Sequence, residues 1–368
     1  MPELPEVETV ARDLARLVAG ATITGARGDW PPAIASHDSV EGFAAAVAGR
    51  RVESVGRRAK LVVVRLEGGA ALTVHLRMTG QLFVVPAGAP ADRHVHVVLP
   101  LADGREIRFR DVRKLGRIGC WPVDPGTGDV LERAGGAGLF AATGPEPLED
   151  AFTLRAFRER LRGRRGRLKP LLLDQRFIAG VGNIYADEAL WRARLHPLRS
   201  AATLRSPHEA RLYRALRSVL AEAVERRGSS IDDYTAPDGD GSMQERLEAY
   251  QRTGEPCPRC GRPIRRIVVG GRATHFCSWC QRLPAADRRG AAAILGAARA
   301  PRTHGRRWTE LAGEGTLGLT PDETARAVAR ARTERTRRAA ATRRERARAG
   351  GGGRSRQPAD GGRPGGEA

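Results

Sequence analysis

The chain opens Met1-Pro2-Glu3-Leu4-Pro5-Glu6, and these six residues could do chemistry that little else in it could. Removal of Met1 would leave proline at the amino terminus, a secondary amine with a carboxylate beside it. An α-amino group titrates near ~8, against ~10.4 for lysine, so at neutral pH it is free base far more often. Free amines attack electrophilic carbon, and a secondary amine can then form only a cationic iminium, a strong electron sink. Glu3 and Glu6 lie close enough in sequence to move protons around it. Read alone, Pro2 and Pro5 would equally well stiffen an N-terminal arm. Lys60, in Arg57-Arg58-Ala59-Lys60 ahead of an apolar run, could neutralise a phosphate or a developing oxyanion. A solvated surface lysine is the ordinary alternative.

Four of the five cysteines form two pairs, Cys257/Cys260 and Cys277/Cys280, with sixteen residues between the pairs. Four thiolates at this spacing make a closed tetrahedral zinc site, which is structural because no ligand position stays open. One Zn2+ is therefore expected. Between the pairs, Ile264 to Phe276 reads as a hairpin turning at Gly270-Gly271, with Arg272 near its tip, suited to reaching into a DNA groove. Cys120 stands apart and reads as a small buried hydrophobe.

A third group is Lys169-Pro170, then Gly180-Val181-Gly182-Asn183-Ile184-Tyr185. It reads as helix, turns, helix, with Asn183 placed to cap the second helix. The glycines would let backbone amides at the helix start approach an anion, making a phosphate clamp. A helical hairpin whose glycines only turn the chain explains the same residues.

These residues need elements to hold them. The 368 residues suffice for two or three domains with cores. Residues 3–18 predict a helix with Leu4, Val7, Val10, Leu14 and Leu17 on one face. From about 20 to 122, short apolar runs bounded by Gly and Pro predict a β-sandwich or barrel. Gly144-Pro145-Glu146-Pro147 reads as a hinge, and from 150 to 228 the period turns helical. The expected fold is α+β and multidomain: an N-terminal helix plus β-sandwich over 1–135, a helical DNA-binding domain over 145–250, a zinc-finger hairpin over 251–287, and an Arg/Ala/Gly-rich, largely disordered tail over 288–368. Thr320-Pro321-Asp322-Glu323 is a candidate helix start within that tail.

The net charge of +21 rests on 63 Lys and Arg against 42 Asp and Glu. Residues 288–368 hold 19 Arg and 8 acidic residues, or +11 of that total, so the rest of the chain is also basic. Such a surface calls for a polyanion. No apolar stretch approaches the ~20 residues of a spanning helix, so nucleic acid is favoured over membrane, and a cytoplasmic, nucleoid-associated monomer is expected. The tail could add salt-dependent, non-specific DNA affinity or be a solvated extension.

Taken together, these motifs resemble those of the bacterial formamidopyrimidine-DNA glycosylases over about residues 2–282. The matching segments are Pro2-Glu3-Leu4-Pro5-Glu6-Val7-Glu8-Thr9, Arg57-Arg58-Ala59-Lys60, His75-Leu76-Arg77-Met78-Thr79-Gly80, Asp111-Val112-Arg113-Lys114-Leu115-Gly116, Gly180 to Tyr185, and the zinc hairpin with Arg272. The resemblance implies a helix–two-turn–helix domain and a bifunctional glycosylase and abasic-site lyase that removes 8-oxoguanine and formamidopyrimidines from duplex DNA. It implies Pro2 as nucleophile at the sugar C1′, Glu3 as general acid and base, Glu6 as its support, and Lys60 as a phosphate contact assisting the reaction. Asn183 and Arg272 would grip the phosphates flanking the extruded nucleotide, with Lys169 and Tyr185 as lesser contacts. The iminium would then drive β- and δ-elimination. Base extrusion leaves a hole in the stack, which Met78, Arg113 and Leu115 would fill. Without that context Met78 would read as a core methionine.

The chain departs from the family pattern where lesions are read. Leu115 stands where phenylalanine is usual, Arg77 where glycine is usual, and Val112 where proline is usual. In Ala236 to Gln244, the segment corresponding to the loop over the flipped base, Ser242-Met243 stand where aromatic residues are frequent. Two other readings accompany the first: an endonuclease VIII-like preference for oxidised pyrimidines, against which Leu4 argues, and a non-catalytic damage-binding protein, against which Pro2, Glu3 and Lys60 argue.

Overall fold

The computed structural model describes residues 1–230 and 241–297. Helix α1, Leu4–Val18, is followed by the strands β1 (Thr22–Ile23) and β2 (Arg27–Gly28). The short helix α2, Val40–Val47, precedes β3 (Arg50–Arg58), β4 (Leu61–Leu66), β5 (Ala70–His75), β6 (Gly80–Pro86), β7 (Val95–Pro100), β8 (Arg105–Asp111) and β9 (Arg117–Pro122). Strands β1, β3, β4, β5 and β9 make one antiparallel sheet, and β2, β7, β8 and β6 a second. Between them lies one apolar core that includes Val62, Val64, Leu72, Val97, Ile107 and Phe109. This is the expected sandwich, with one element not foreseen. Helix α2 sits inside the stretch read as strands, started by Ser39, whose Oγ accepts from Gly42 N at 3.0 Å.

Helix α1 joins two cores. Val7, Val10, Leu14 and Val18 pack into the sandwich, whereas Leu4 packs into the helical domain. Leu17, expected on the buried face, is exposed, and Val18 is buried in its place. The N-terminal turn of α1 is therefore held at the junction of the two cores.

The helical domain comprises α3 (Leu154–Leu161), α4 (Leu168–Leu173), α5 (Asn183–Arg192) and α6 (Ser206–Glu225). Phe157, Leu172, Leu190, Leu212, Leu216 and Leu220 form its core. The segment read as a hinge is pinned down. Glu146 is buried, its carboxylate lies 2.7 Å from Arg57 Nη1 and 2.8 Å from Arg58 Nη1, and it accepts from Ala59 N. Strands β10 (Arg265–Val269) and β11 (Arg272–Phe276) form the expected hairpin. Gly270 and Gly271 both have positive φ, 55° and 74°, as a type I′ turn requires.

The tail does not begin at 288. Helix α7, Ala285–Ala297, crosses that boundary. Ala291, Ile294 and Leu295 cover Leu198, Ile267, Val269 and Phe276, so the zinc-finger region has an apolar lid that its Ala- and Arg-rich composition concealed. The candidate helix at Thr320 lies outside the described residues. Among the described residues, no helix is long and apolar enough to cross a membrane.

Glu188 on α5 is buried and accepts backbone hydrogen bonds from Glu248, Ala249 and Tyr250 at 2.8, 2.9 and 2.8 Å, tying α5 to the segment leading into the zinc finger. Burial pushes its carboxyl up to about 7 against the three amides that oppose the shift. The folded state thus holds this proton more tightly than the unfolded chain. The associated stability is complete below pH 4.5 and is lost as pH rises through about 7. The variant E188Q removes that dependence. Between pH 5.5 and 8 its stability deficit relative to wild type should shrink by ~2 kcal/mol, read from unfolding midpoints. A deficit constant across that range would mean that Glu188 titrates normally.

Candidate active site

The site is built around the first turn of α1. Leu4 N donates to Gly180 O at 3.0 Å, anchoring the amino end to the α4–α5 connection. Glu3 places its carboxylate at the start of α5, where Ile184 N donates to Oε1 at 2.9 Å and Tyr185 N to Oε2 at 3.4 Å. Amides at a helix start suit an anion by hydrogen bonding and by the helix dipole. The anion here is the chain's own glutamate, so the amides expected to clamp phosphate are already engaged. The glycines serve that approach. A Cβ on Gly182 would collide with Glu3 Cδ, and one on Gly180, whose φ is +77°, would lie 2.7 Å from Leu4 Cβ.

Glu6 lies beneath Glu3. Its carboxylate accepts from Glu3 N at 2.8 Å, Tyr185 Oη at 2.5 Å and Ser229 N at 2.8 Å. Burial, then the neighbouring Glu3, pushes its carboxyl above the usual range, the direction needed by a group that holds a proton near neutral pH. Gly228, φ +74°, is glycine because a Cβ there would lie 2.7 Å from Glu6 Oε1.

Lys60 enters from the β3–β4 turn, where Ala59 has φ 53°. It is only 8% exposed. Burial lowers the pKa of its ammonium, Glu3 opposes that shift, and Arg272 adds to it. These influences place Lys60 electrostatically between the acid of α1 and the arginine of the hairpin, which is not the setting of an ordinary solvated lysine.

Pro2, Glu3, Glu6, Met78, Asn183, Ser229, Tyr250 and Arg272 line one open pocket of about 140 Å³. The structure thus brings together residues from four distant segments that the sequence singled out. Asn183 does not cap α5, because Gly182 holds that position. Its Nδ2 donates instead to Ala273 O at 3.0 Å, tying the helix start to the strand that carries Arg272. Lys169 and Tyr185, expected as lesser DNA contacts, are both fully buried. Lys169 Nζ bonds Asn183 O at 3.1 Å and pairs with Asp187, whose other carboxylate oxygen accepts from His275 N at 2.9 Å. Tyr185 is committed to Glu6. Both act from within, and sequence alone carried no signal of that. Arg113 and Leu115 are exposed on the turn after β8, and Met78 is half-buried at the pocket wall rather than in a core. Met243 is fully buried in the helical core, so it is not a residue that covers a ligand. The rest of the loop corresponding to Ala236 to Gln244 lies largely outside the described residues.

The four cysteine sulfurs lie within 4.8 Å of one another. Cys260 and Cys277 Sγ are 3.5 Å apart, and Cys257 and Cys280 Sγ 4.0 Å apart. A tetrahedron with Zn–S bonds of ~2.3 Å has edges of roughly 3.8 Å, so the four residues fit one Zn2+. Bound there, zinc supplies no chemistry to the pocket but holds the base of the hairpin that presents Arg272.

Two outcomes follow from this geometry. In Gly182→Ala the new methyl displaces the Glu3 carboxylate; with Glu3 in the general acid and base role that the resemblance implies, turnover should fall about 10²-fold, the cost of misplacing such a group by roughly 1 Å, with DNA affinity changed less than threefold. Single-turnover kinetics and a binding titration separate the two. Chelation of zinc should instead weaken binding to an abasic-analogue duplex at least tenfold, with recovery on adding Zn2+. Unchanged affinity after verified metal removal would dissociate the hairpin from DNA binding.

Three family models match the chain: the formamidopyrimidine-DNA glycosylase N-terminal domain over residues 1–118, the H2TH domain of the same enzymes over 143–235, and the zinc finger found in FPG and IleRS over 254–283. A formamidopyrimidine-DNA glycosylase from Herpetosiphon aurantiacus is 50% identical over 283 residues, which is 76% of this chain and all of that protein. One from Chloroflexus aurantiacus is 50% identical over 76% of this chain and 98% of its own length. Among solved structures, the MutM (Fpg) protein from Thermus thermophilus superposes with a TM-score of 0.67 at 44% identity, covering 77% of this chain and all of that one. The complex between Lactococcus lactis Fpg and DNA containing an abasic site gives 0.69 at 35% identity, covering 76% and 99%. With its three domains matched in order and half its residues over that span shared with such relatives, the chain belongs to the formamidopyrimidine-DNA glycosylase family.

Proposed function

We propose that this DNA glycosylase of base-excision repair removes oxidised purines from duplex DNA through its N-terminal amine and then cleaves the strand as an abasic-site lyase. The observation that carries the reading is the seating of Glu3. Two α5 amides hold its carboxylate beside Pro2, in a pocket also lined by Met78, Asn183 and Arg272. Once Met1 is removed, the Pro2 nitrogen has a free lone pair. It attacks C1′ of the damaged nucleoside, the glycosidic bond breaks with its electron pair leaving on the base, and the proton that the nitrogen then gives up neutralises the departing base and restores the nitrogen lone pair. Glu3 delivers a proton to the ring oxygen, the sugar opens, and the nitrogen lone pair completes a cationic C=N bond to C1′. Loss of a C2′ proton then expels the 3′ phosphate, and a second elimination expels the 5′ phosphate.

The remaining groups set this up. Glu6, its proton affinity raised by burial, receives Glu3 N and keeps the first turn in register. Lys60 supplies positive charge near Glu3, and Arg272 supplies it from the hairpin. Asn183 stands beside Arg272 through the Ala273 contact, so two phosphate-facing groups move as one. Relatives solved with DNA containing an abasic site or carbocyclic 8-oxo-G, the latter at 35% identity with a TM-score of 0.68, support this substrate class.

Borohydride trapping on a duplex with 8-oxoguanine opposite cytosine tests the reading. A covalent complex mapping to residue 2 is expected, and Pro2→Gly should abolish or sharply reduce it. Trapping on thymine glycol but not 8-oxoguanine would move the substrate to oxidised pyrimidines. No complex even on an abasic-site duplex, with protein lacking Met1, would overturn the amine mechanism.

A further inference from the structure

Three side chains expected to occupy the hole left by an extruded base come from two separate turns. Met78 lies between β5 and β6, and Arg113 and Leu115 lie between β8 and β9. Both turns are exposed at their tips. The pairing of β5 with β9 and of β6 with β8 brings their bases together, and the group that ties the turns themselves is Asp111, the last residue of β8 and fully buried. Its Oδ1 accepts from Thr79 Oγ1 at 2.5 Å and from Arg113 N at 3.2 Å, and its Oδ2 accepts from Leu115 N at 2.7 Å and Gly116 N at 2.6 Å. Arg113 N also reaches Thr79 Oγ1 at 3.1 Å. One carboxylate therefore holds the residue after Met78 and the backbones of Arg113 and Leu115.

The surroundings are shaped for this arrangement. Asp111 pairs with Gly80 across β6 and β8. A Cβ on Gly80 would collide with Leu76 O, and one on Gly116 would meet Phe109 Cζ at 2.5 Å and Asp111 Oδ2 at 3.2 Å. Lys114, at φ 55°, folds the second turn back over the carboxylate. His96 Nε2 lies 3.0 Å from Asp111 O and fixes its backbone from β7. All four side-chain partners are donors, so two acceptor oxygens are required. An amide would present an NH2 to N–H groups on one side.

We propose that Asp111 is a positioning residue for base extrusion: through Thr79 it locks the Met78 turn to the Arg113–Leu115 turn, so that the groups entering the DNA stack act as a single preformed wedge. This rests on the function proposed above. The consequence is a split between steps. Extruding a paired base needs the wedge in register, because the unstacking cost must be offset as the base leaves. Eliminating phosphate from a preformed abasic site has no base to displace and depends on Pro2, Glu3 and Lys60. A preformed wedge matters more here because Leu115 has no aromatic face with which to recover stacking by itself.

The test compares D111N, Thr79→Val and Thr79→Ser with wild type in the full-length, zinc-loaded protein. Excision from an 8-oxoguanine:cytosine duplex should fall at least tenfold in D111N and T79V, while cleavage of a preformed abasic duplex falls less than threefold. T79S, which keeps the hydroxyl, should restore excision. Independently of chemistry, 2-aminopurine placed beside the lesion should brighten on saturation with wild type and less than half as much with D111N or T79V. Equal loss on both substrates, or excision and fluorescence both unchanged, would overturn the proposal. If D111N melts early, T79V decides. If wild type itself neither excises nor cleaves, the proposed function fails, and the fluorescence comparison alone still judges the wedge.

Discussion

The contact on which the rest of this molecule depends is Glu3 against the first turn of α5. It puts a catalytic-type carboxylate where a helix start would otherwise bind a ligand anion. Its cost is spread over the fold. Gly182 must lack a side chain, Gly180 must take a positive φ, and Leu4 must leave the sandwich core for the helical one. The return is that the amino terminus, normally the loosest part of a chain, is held from both domains. A nucleophile located there acquires a defined position without belonging to a helix or strand itself.

A second constraint is charge. Glu6, Glu3 and Lys60 are all buried, where unpaired charge is expensive. The solution is a mixed set of donors. Tyr185 and Ser229 serve Glu6, and α5 serves Glu3. Lys60 and Arg272 supply the opposite sign, and Lys60 is easier to deprotonate for being buried. The three buried groups therefore have little solvent to compensate a lost partner.

Sequence reading succeeded where the cause is local and failed where it is distant. The 3.6-residue period of α1, the Gly270-Gly271 turn and the cysteine spacing each depend on neighbours in the chain, and each appears as expected. Asn183, Lys169 and Tyr185 were correctly placed in the chain, but Lys169 and Tyr185 turn their side chains inward, and Asn183, while still lining the pocket, gives its amide nitrogen to the hairpin. Their partners, Ala273, Asp187 and Glu6, lie between 18 and 179 residues away, and no spacing rule reports such pairs. Met243, noted only as standing where aromatic residues are frequent, is a core residue of the helical domain. Helix α7 was hidden by composition: an Ala/Arg stretch looks solvated until a hairpin offers it an apolar face. The loop over 236–240 and the residues from 298 onward lie outside the described residues.

The zinc finger is best understood through what it is attached to. Its hairpin has only five residues in each strand, and an isolated two-stranded hairpin is marginal in water. Zinc closes its base, α7 covers one face, and the network from Lys169 through Asp187 to His275, with Asn183 on Ala273, fastens β11 to α5. Arg272 is exposed at the end of this assembly, yet its strand is joined to the same helix whose first amides hold Glu3. The proposed phosphate grip at Arg272 and the proposed acid Glu3 thus share a single reference element. A load on either is carried to α5, so the separation of the two groups is set by the interior of one helix rather than by the flexibility of an arm.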